Sequence, residues 1–305
     1  MQPLLLTGYQ RTLTQAEIPC PLHAAYTAAA AYMARRERAV TLTVRHLAPQ
    51  ELQPHLLAVL AFGCVSDDTA DDNPGNTTTV NAWADHALKA LDGGPTTHPI
   101  LRALVHTLLV RKTPDHWVRL FITRTRDETH FTGFDTDDDF TACVRAYTYP
   151  LLMMSVDVQY PGGADARQAE EWFPLAEAFH RIDSLCDLAD DLGQGRLTIP
   201  RQDLADHDLT PCDLTFSGPS PGQVREVLRL MCRRAWTAHE ASLACAEAAA
   251  PAYRRMALAA WDLQGRRLAR CETAGLQLLR RVVHVGKTDA VRVAVSDAIR
   301  QWNSR

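Results

Sequence analysis

Apolar residues recur at helical spacing along most of this 305-residue chain, and no stretch alternates apolar with polar residues as a strand would. Alanine, leucine and arginine dominate over β-branched residues, which favours helices. The first 21 residues hold prolines and no clear period, which predicts an irregular lead-in. The pattern predicts helices over residues 22–47, 49–72, 80–91, 99–110, 114–129, 140–160, 165–192, 223–250, 252–283 and 289–302. The sequence therefore predicts an all-α protein.

The predicted helices are expected to form one domain, a helical bundle over residues 22–305. The best loop candidate, residues 211–222, is rich in Pro, Ser and Gly, but helical periodicity on both sides argues against a domain linker. Pro150 lies inside the long apolar stretch 140–160 and predicts a kink. A kink there would help to open a cavity.

Charge, cysteine usage and hydropathy exclude several classes of protein. A net charge of −4 and a pI near 6.3 provide no basic field for nucleic acid. Eight scattered cysteines, without a CxxC pair or a signal peptide, indicate reduced thiols in the cytoplasm. The longest apolar run, residues 56–65, is far shorter than the roughly 20 residues of a transmembrane helix. Peripheral membrane contact through an apolar substrate stays open, as does the choice between monomer and homodimer.

The segment FGCVSDDTADDNPG places four carboxylates at the end of a predicted apolar helix. Asp67 and Asp71 lie four residues apart and share a helical face, while Asp68 and Asp72 form the neighbouring row. Four carboxylates at a helix C-terminus repel one another and the helix dipole unless a cation neutralises them. A magnesium site is one interpretation, and a solvated acidic turn is the other.

A second acidic segment, HRIDSLCDLADDLGQGRLTIP, favours the magnesium interpretation. Asp183, Asp187 and Asp191 follow one another at four-residue steps, with Asp190 beside them. Two acidic stripes in an all-helical chain can face one another across a bundle cavity, as metal-binding carboxylates do in other bundles. The predicted metal ligands are Asp67, Asp68, Asp71, Asp72, Asp187, Asp190 and Asp191.

These motifs resemble those of a known family. AVTLTVRHLAPQELQPHLLAVLAFGCVSDDTADD is similar to the early helices and first aspartate-rich motif of squalene and phytoene synthases. DSLCDLADDLGQGRLTIP resembles their second motif, in which an Asn-x-x-x-Asp-x-x-x-Asp helix leads to an Arg and a Leu/Ile-Pro turn. The likeness covers residues 22–285. It implies the all-α isoprenoid synthase fold, a central cavity, and Mg²⁺ ions that hold a prenyl diphosphate.

The resemblance also suggests roles for individual residues. Asp67, Asp71, Asp187 and Asp191 would hold magnesium while the diphosphate leaves and an allylic cation forms. Apolar and aromatic side chains would keep water from that cation; the candidates are Phe62, Tyr147, Tyr149, Met153, Met154 and Trp261. Basic groups would bind the diphosphate; the candidates are Arg38, Arg45, Arg196, Arg280, Arg281 and Lys287. Ordinary core packing and solvated surface charge are the alternatives for each.

The chain departs from the family pattern at four positions. Cys64 and Cys186 stand where the family usually has Arg, Asp183 where it has Asn, and Leu60 where Tyr is common. Each change removes a donor or adds negative charge where two anionic head groups would have to bind. The pattern therefore favours one diphosphate over two.

The leading hypothesis is transfer of one prenyl group to a small aromatic acceptor, with Asp183 or a diphosphate oxygen taking the ring proton. Head-to-head condensation of two prenyl diphosphates, terpene cyclisation and an inactive partner subunit are the alternatives. The donor length, the acceptor and the regiochemistry stay open.

Overall fold

The structure is a computed structural model that describes residues 8–73, 76–128, 130–160, 162–218 and 220–283. Two sequence predictions, a diphosphate-binding Lys287 and a helix over residues 289–302, lie outside the described residues.

The described residues form sixteen α-helices, which confirms the all-α prediction. They are α1 (Tyr9–Gln15), α2 (His23–Arg36), α3 (Arg38–Leu47), α4 (Gln53–Asp71), α5 (Thr77–Leu91), α6 (Pro99–Arg111), α7 (His116–Glu128), α8 (Asp137–Ala146), α9 (Thr148–Asp157), α10 (Ala166–Glu171), α11 (Phe173–Cys186), α12 (Leu188–Gly193), α13 (Arg201–Ala205), α14 (Pro221–Ala241), α15 (Leu243–Ala248) and α16 (Pro251–Ala274). Within the described ranges, no helix is long and apolar enough to cross a membrane.

The prediction of an irregular lead-in is wrong for residues 9–15, which form α1. Tyr9 and Leu13 are buried there, and the Arg45 guanidinium lies 5.1 Å from the centre of the Tyr9 ring. A helix of seven residues is too short to be stable alone, so packing rather than propensity holds it. The same shortness hides its period in the sequence.

Several predicted helices are divided in the structure. The predicted helix over 22–47 breaks at Glu37, whose φ and ψ are −126° and 69°. The stretch 140–160 breaks at Tyr147, and Pro150 then lies in the first turn of α9, where its missing N–H removes no helical hydrogen bond. Residues 165–192 form three helices, with the last break at Asp187.

The contacts within the chain group it into two compact units, each described here by itself. The first unit comprises residues 1–130, 150–170 and 249–257, and the second comprises residues 131–149, 171–248 and 258–305. The prediction of a single domain over 22–305 stays a prediction.

The first unit is built around α4, which packs against α2 and α6. Most of α4 is buried, because its residues before the acidic cluster are almost all apolar. One cluster of polar side chains in this core is linked by hydrogen bonds: the Tyr26 hydroxyl lies 2.8 Å from both His106 Nδ1 and Thr107 Oγ1, and 3.3 Å from His55 Nδ1. Burial of α4 fixes the place at which its acidic end emerges.

The second unit is built around α11, which packs along α14. Its core consists of apolar side chains from both helices and from α16, including Ile182, Leu185, Val227, Leu228 and Leu268. The acidic residues of α11 therefore lie on a helix whose opposite face is held in an apolar core.

The histidines of the two cores make stability depend on pH. His55 and His239 are 3% and 2% exposed, and burial lowers the pKa of His55 to about 3 and that of His239 to about 4. Unfolded histidine has a pKa of about 6.5, so the unfolded chain takes up these protons first as the pH falls. We expect each histidine to cost about 1.4 kcal/mol of stability per pH unit below pH 6.5, down to its folded pKa.

Urea unfolding at pH 7.5 and 5.5 measures this effect. The H239Q variant should depend less on pH than the H46Q variant, in which an exposed histidine is removed. Equal or greater wild-type stability at pH 5.5 would contradict the assignment.

Candidate functional site

The first acidic cluster lies where α4 leaves the core of the first unit. Asp67, Asp68 and Asp71 are half-buried in its last turns, and Asp72 is exposed at the C-cap. The last turn of α4 contains no basic residue. The helix dipole and the neighbouring carboxylates therefore both disfavour negative charge here, as the sequence predicted.

Two residues of α2 hold Asp68. Arg36 Nε donates to Asp68 Oδ1 at 2.9 Å and its Nη1 to Glu37 at 3.0 Å, while the Tyr32 hydroxyl donates to Asp68 Oδ2. Burial disfavours the charge of Arg36, but Asp68 and Glu37 outweigh burial and raise its pKa above the ordinary value. Asp68 thus has a protein cation beside it. The sequence analysis missed Arg36, whose position in an ordinary run of arginines carries no signal.

The second acidic cluster lies at the end of α11 and in α12, within the second unit. The amide of Asp187 donates to the carbonyl of Asp183 at 2.9 Å, and that of Asp191 to the carbonyl of Asp187 at 3.0 Å. The four-residue steps therefore continue through the break at Asp187. Asp187 and Asp190 are exposed, Asp183 is half-buried, and Asp191 is 8% exposed.

Arg196 turns back onto this cluster. Its Nη2 lies 2.8 Å from Asp191 Oδ1, and its amide donates to the Asp191 carbonyl at 2.8 Å. Gly195, at φ 75°, makes the reversal possible. The structure thus brings together two residues that the sequence assigned to metal and diphosphate binding.

The segment after Arg196 is anchored by a backbone bridge to residues 132–134. Leu197 donates to the carbonyl of Thr132 and accepts from the amide of Phe134, both at 3.2 Å. Gly133 lies between those partners at φ 137°, and a Cβ there would lie 2.6 Å from the Leu197 carbonyl oxygen. Only glycine fits this close approach.

We expect G133A to lower the free energy of unfolding by about 3 kcal/mol, through backbone strain and overlap with Leu197. The matched control is G193A at the end of α12, where an added Cβ meets no atom within 4 Å. Urea unfolding of both variants measures the difference, and equal midpoints would contradict the role given to Gly133.

Asp183 is paired with Arg267, which α16 supplies. Arg267 Nη1 lies 2.5 Å from Asp183 Oδ1 and 3.1 Å from Gln264 Oε1. The side chain of Arg267 is 17% exposed and that of Asp183 is 47% exposed. Burial would lower the pKa of Arg267, but Asp183 and nearby groups raise it above the ordinary value. Arg267 lies 84 residues beyond Asp183 in the chain, and no motif marks it in the sequence.

The two cysteines that replace arginines in the family pattern lie beside these ion pairs. Cys186 is fully buried, with its Sγ 3.5 Å from that of Cys271, and its charge interactions include Arg267. The carbonyl of Cys64 accepts from the Tyr32 hydroxyl at 3.3 Å, and the charge interactions of Cys64 include Arg36. In each motif, a cation therefore approaches from another helix.

The other predicted diphosphate-binding arginines differ in their surroundings. Arg38 and Arg281 are exposed, and the Arg280 guanidinium lies 4.6 Å from the centre of the Phe216 ring. Arg45 donates to Thr12 Oγ1 at 2.9 Å and to Gln53 Oε1 at 2.8 Å. These contacts give Arg45 a structural role in holding α1.

Most of the predicted cavity-lining side chains are buried, and their contacts fit core packing. Three of them, Phe62, Met153 and Met154, are fully buried, and Tyr149 is 4% exposed. Trp261 stacks on His239, with ring centres 4.4 Å apart. Their role around a substrate stays a prediction. The second unit has an open cleft of about 430 Å³ beside residues 275–279, and its lining includes none of the predicted site residues.

The carboxylates of the two acidic clusters are of the kind and number that magnesium usually binds. Among the described residues, no three His, Cys, Asp or Glu side chains converge as a complete metal site would require. Magnesium does not need such a site, because it is usually bound through one or two carboxylates, with water and substrate phosphate completing its shell. Asp67, Asp68 and Asp71, half-buried in the first cluster, and Asp187 and Asp190, exposed in the second, offer carboxylates of that kind.

The sequence profile of the squalene/phytoene synthase family matches residues 34–289. The chain therefore belongs to the squalene/phytoene synthase family. A curated relative, the bifunctional protein CrtB/UppS of Streptomyces coelicolor, is 30% identical over 169 residues. That match covers 54% of this chain and 30% of the relative, so this chain spans less than a third of it.

Three solved structures share the fold. Squalene synthase HpnC from Alicyclobacillus acidocaldarius has a TM-score of 0.74 at 22% identity and covers 85% of this chain and 97% of its own. A dehydrosqualene synthase in complex with ligand has a TM-score of 0.79 at 15% identity, with 96% and 99% covered. YisP from Bacillus subtilis has a TM-score of 0.68 at 14% identity, with 93% and 98% covered. The predicted family and all-α squalene synthase fold are thus confirmed.

Proposed function

We propose that this protein is a magnesium-dependent prenyltransferase that joins one allylic prenyl group to a small aromatic acceptor lacking a diphosphate. The observation that carries this proposal is the Asp183–Arg267 ion pair. The cation beside the second motif is already matched by a carboxylate. A second, highly anionic head group would therefore meet a neutral pair beside the position at which the family pattern has an arginine.

The carboxylates of Asp67, Asp71, Asp187 and Asp191 would hold magnesium with the donor diphosphate. When bound, magnesium supplies neutralisation of the charge that develops on the departing diphosphate. Arg196 is paired with Asp191, and it would turn from that carboxylate to the diphosphate when magnesium occupies Asp191. These groups favour the ionised state of the donor over the intact one, which is the requirement for catalysis.

The proposed step breaks the allylic carbon–oxygen bond, and its electron pair leaves with the diphosphate. The aromatic ring supplies the electron pair of the new carbon–carbon bond, and its proton passes to the Asp183 carboxylate or to a diphosphate oxygen. Arg267 Nη1, which lies 2.5 Å from Asp183 Oδ1, orients the Asp183 carboxylate for that transfer. Apolar side chains exclude water, which would otherwise capture the cation.

Pyrophosphate release tests this proposal. The chain is incubated with dimethylallyl, geranyl or farnesyl diphosphate, with magnesium or EDTA, and with or without a panel of electron-rich aromatic compounds. We expect release to require magnesium, to rise with an acceptor and to accompany a prenylated product. Release without an acceptor, giving hydrocarbon, would favour cyclisation or coupling. No release under any condition would favour an inactive partner subunit.

Head-to-head condensation of two prenyl diphosphates is the second candidate. It is favoured by the squalene synthase and dehydrosqualene synthase among the structural relatives. It is also favoured by Arg36, whose charge interacts with Cys64, the residue that stands where the family pattern has an arginine. A cyclopropyl or linear dimer from one donor alone, with no acceptor present, would establish this alternative.

A further inference from the structure

We infer that Asp183 and Arg267 form a selectivity pair that limits the site to one diphosphate. This inference rests on the proposed function and deepens it, because it assigns the exclusion of a second diphosphate to two residues. The pair joins α11 to α16 within the second unit.

The cation that contacts Asp183 comes from α16, not from the second-motif helix. The family pattern carries an arginine on the second-motif helix, directly before Asp187. Here Cys186 occupies that position, is fully buried and contacts Cys271. The guanidinium of Arg267 instead approaches from α16 and reaches Asp183, three residues before Cys186.

The positive charge of Arg267 is matched by the carboxylate of Asp183. Where the family has a neutral Asn and a cationic Arg, this chain has an anionic Asp183 and a cationic Arg267 in direct contact. The Asp183–Arg267 pair is therefore neutral and offers no net positive charge to a diphosphate. An anionic head group gains little from a neutral pair and is repelled by the half-exposed carboxylate of Asp183.

Arg267 has a hydrogen-bond donor that is not used by the described residues. Its Nε makes no hydrogen bond within the part of the chain that the structure describes. The Arg267 side chain is 17% exposed and that of Asp183 is 47% exposed, so the carboxylate is the more accessible member of the pair. Neutralising Asp183 would remove the carboxylate in direct contact with Arg267 and leave Asp187 as the nearby carboxylate, so the guanidinium would become available to a phosphate, a ligand that such a group binds well.

Isothermal titration with farnesyl thiodiphosphate and magnesium tests the pair, because this analogue ionises slowly. We expect the wild type to bind one equivalent. D183N should bind a second equivalent, because Arg267 then lacks the carboxylate that contacts it. Any second equivalent that the wild type binds should have an affinity at least about tenfold lower. The double variant D183N/R267Q should return to one equivalent. D138N, an Asp→Asn change at an exposed site on α8, is the matched control.

Inorganic pyrophosphate with magnesium repeats the test without dependence on prenyl chain length. A purely structural ion pair would lower the melting temperature of D183N and R267Q alike and leave the stoichiometry unchanged. The inference is overturned if the wild type binds two equivalents, if D183N binds one, or if the double variant behaves as D183N does.

An acceptor-transfer assay on the same proteins separates this inference from the proposed function. If the wild type prenylates an acceptor and D183N still binds one equivalent, the proposed function stands and the selectivity pair is rejected. If the stoichiometry changes as expected and the wild type prenylates nothing, the pair is supported and the acceptor is rejected.

Discussion

Replacing Asp67 or Asp187 by asparagine is expected to reduce magnesium-dependent pyrophosphate release by about a hundredfold or more. Each change removes one carboxylate from a cluster that is proposed to hold the metal and the leaving diphosphate. The fold should be preserved, since Asp67 is half-buried at a helix C-terminus and Asp187 is exposed. At the end of α4, loss of a negative charge should leave stability unchanged or raise it, because the helix dipole disfavours anions there.

Initial rates and melting temperatures for D67N, D187N and the surface control D138N measure this prediction together. The control should match the wild type in both. If D67N and D187N release pyrophosphate at the wild-type rate, neither motif takes part in the chemistry. If they lose activity by unfolding, their melting temperatures will reveal it.

Replacing Arg181 by methionine is expected to lower the free energy of unfolding by about 1–3 kcal/mol, because a buried guanidinium is lost while its partners Asp137 and Glu177 are 32% and 25% exposed. Arg181 is 3% exposed and binds both oxygens of Asp137, at 2.9 and 3.0 Å, while its Nε donates to Glu177 at 2.9 Å. Its guanidinium also lies 4.6 Å from the centre of the Phe140 ring. The variant would leave two carboxylates without this partner.

The matched control is R229M, which removes an arginine from an exposed i,i+3 pair with Glu226 on α14. Such a pair contributes at most about 1 kcal/mol. Urea unfolding of the two variants compares a buried pair with an exposed one in the same unit. A cost below about 1 kcal/mol for R181M would show that the network around Asp137 is not what holds α8 to α11.

The helices could be predicted because apolar spacing reports burial, and burial determines which segments of this chain are helical. The breaks at Glu37, Tyr147 and Asp187 could not, because none of these residues is a helix breaker and tertiary packing sets their backbone angles. Helix α1 escaped prediction because seven residues give too few turns for a period. Pro150 gave the correct region of the kink, although the break precedes it by three residues.

The two acidic clusters could be predicted because four-residue spacing places side chains on one helical face whatever the rest of the chain does. Arg36 and Arg267 could not, because an arginine has no periodicity of its own and pairs with residues remote in the chain. The one sequence feature that pointed to a basic partner such as Arg267 was Asp183 itself. A carboxylate in place of Asn on a helix that is buried on its other face needs a counter-ion.

The ratio of pyrophosphate to product tests the central claim most directly. The chain is supplied with the best donor, the best acceptor and magnesium, and both products are quantified at several times. One donor and a diphosphate-free acceptor predict one pyrophosphate for each prenylated acceptor, and no product when the acceptor is omitted. Two pyrophosphates for each coupled hydrocarbon, formed without an acceptor, would contradict the single-donor account.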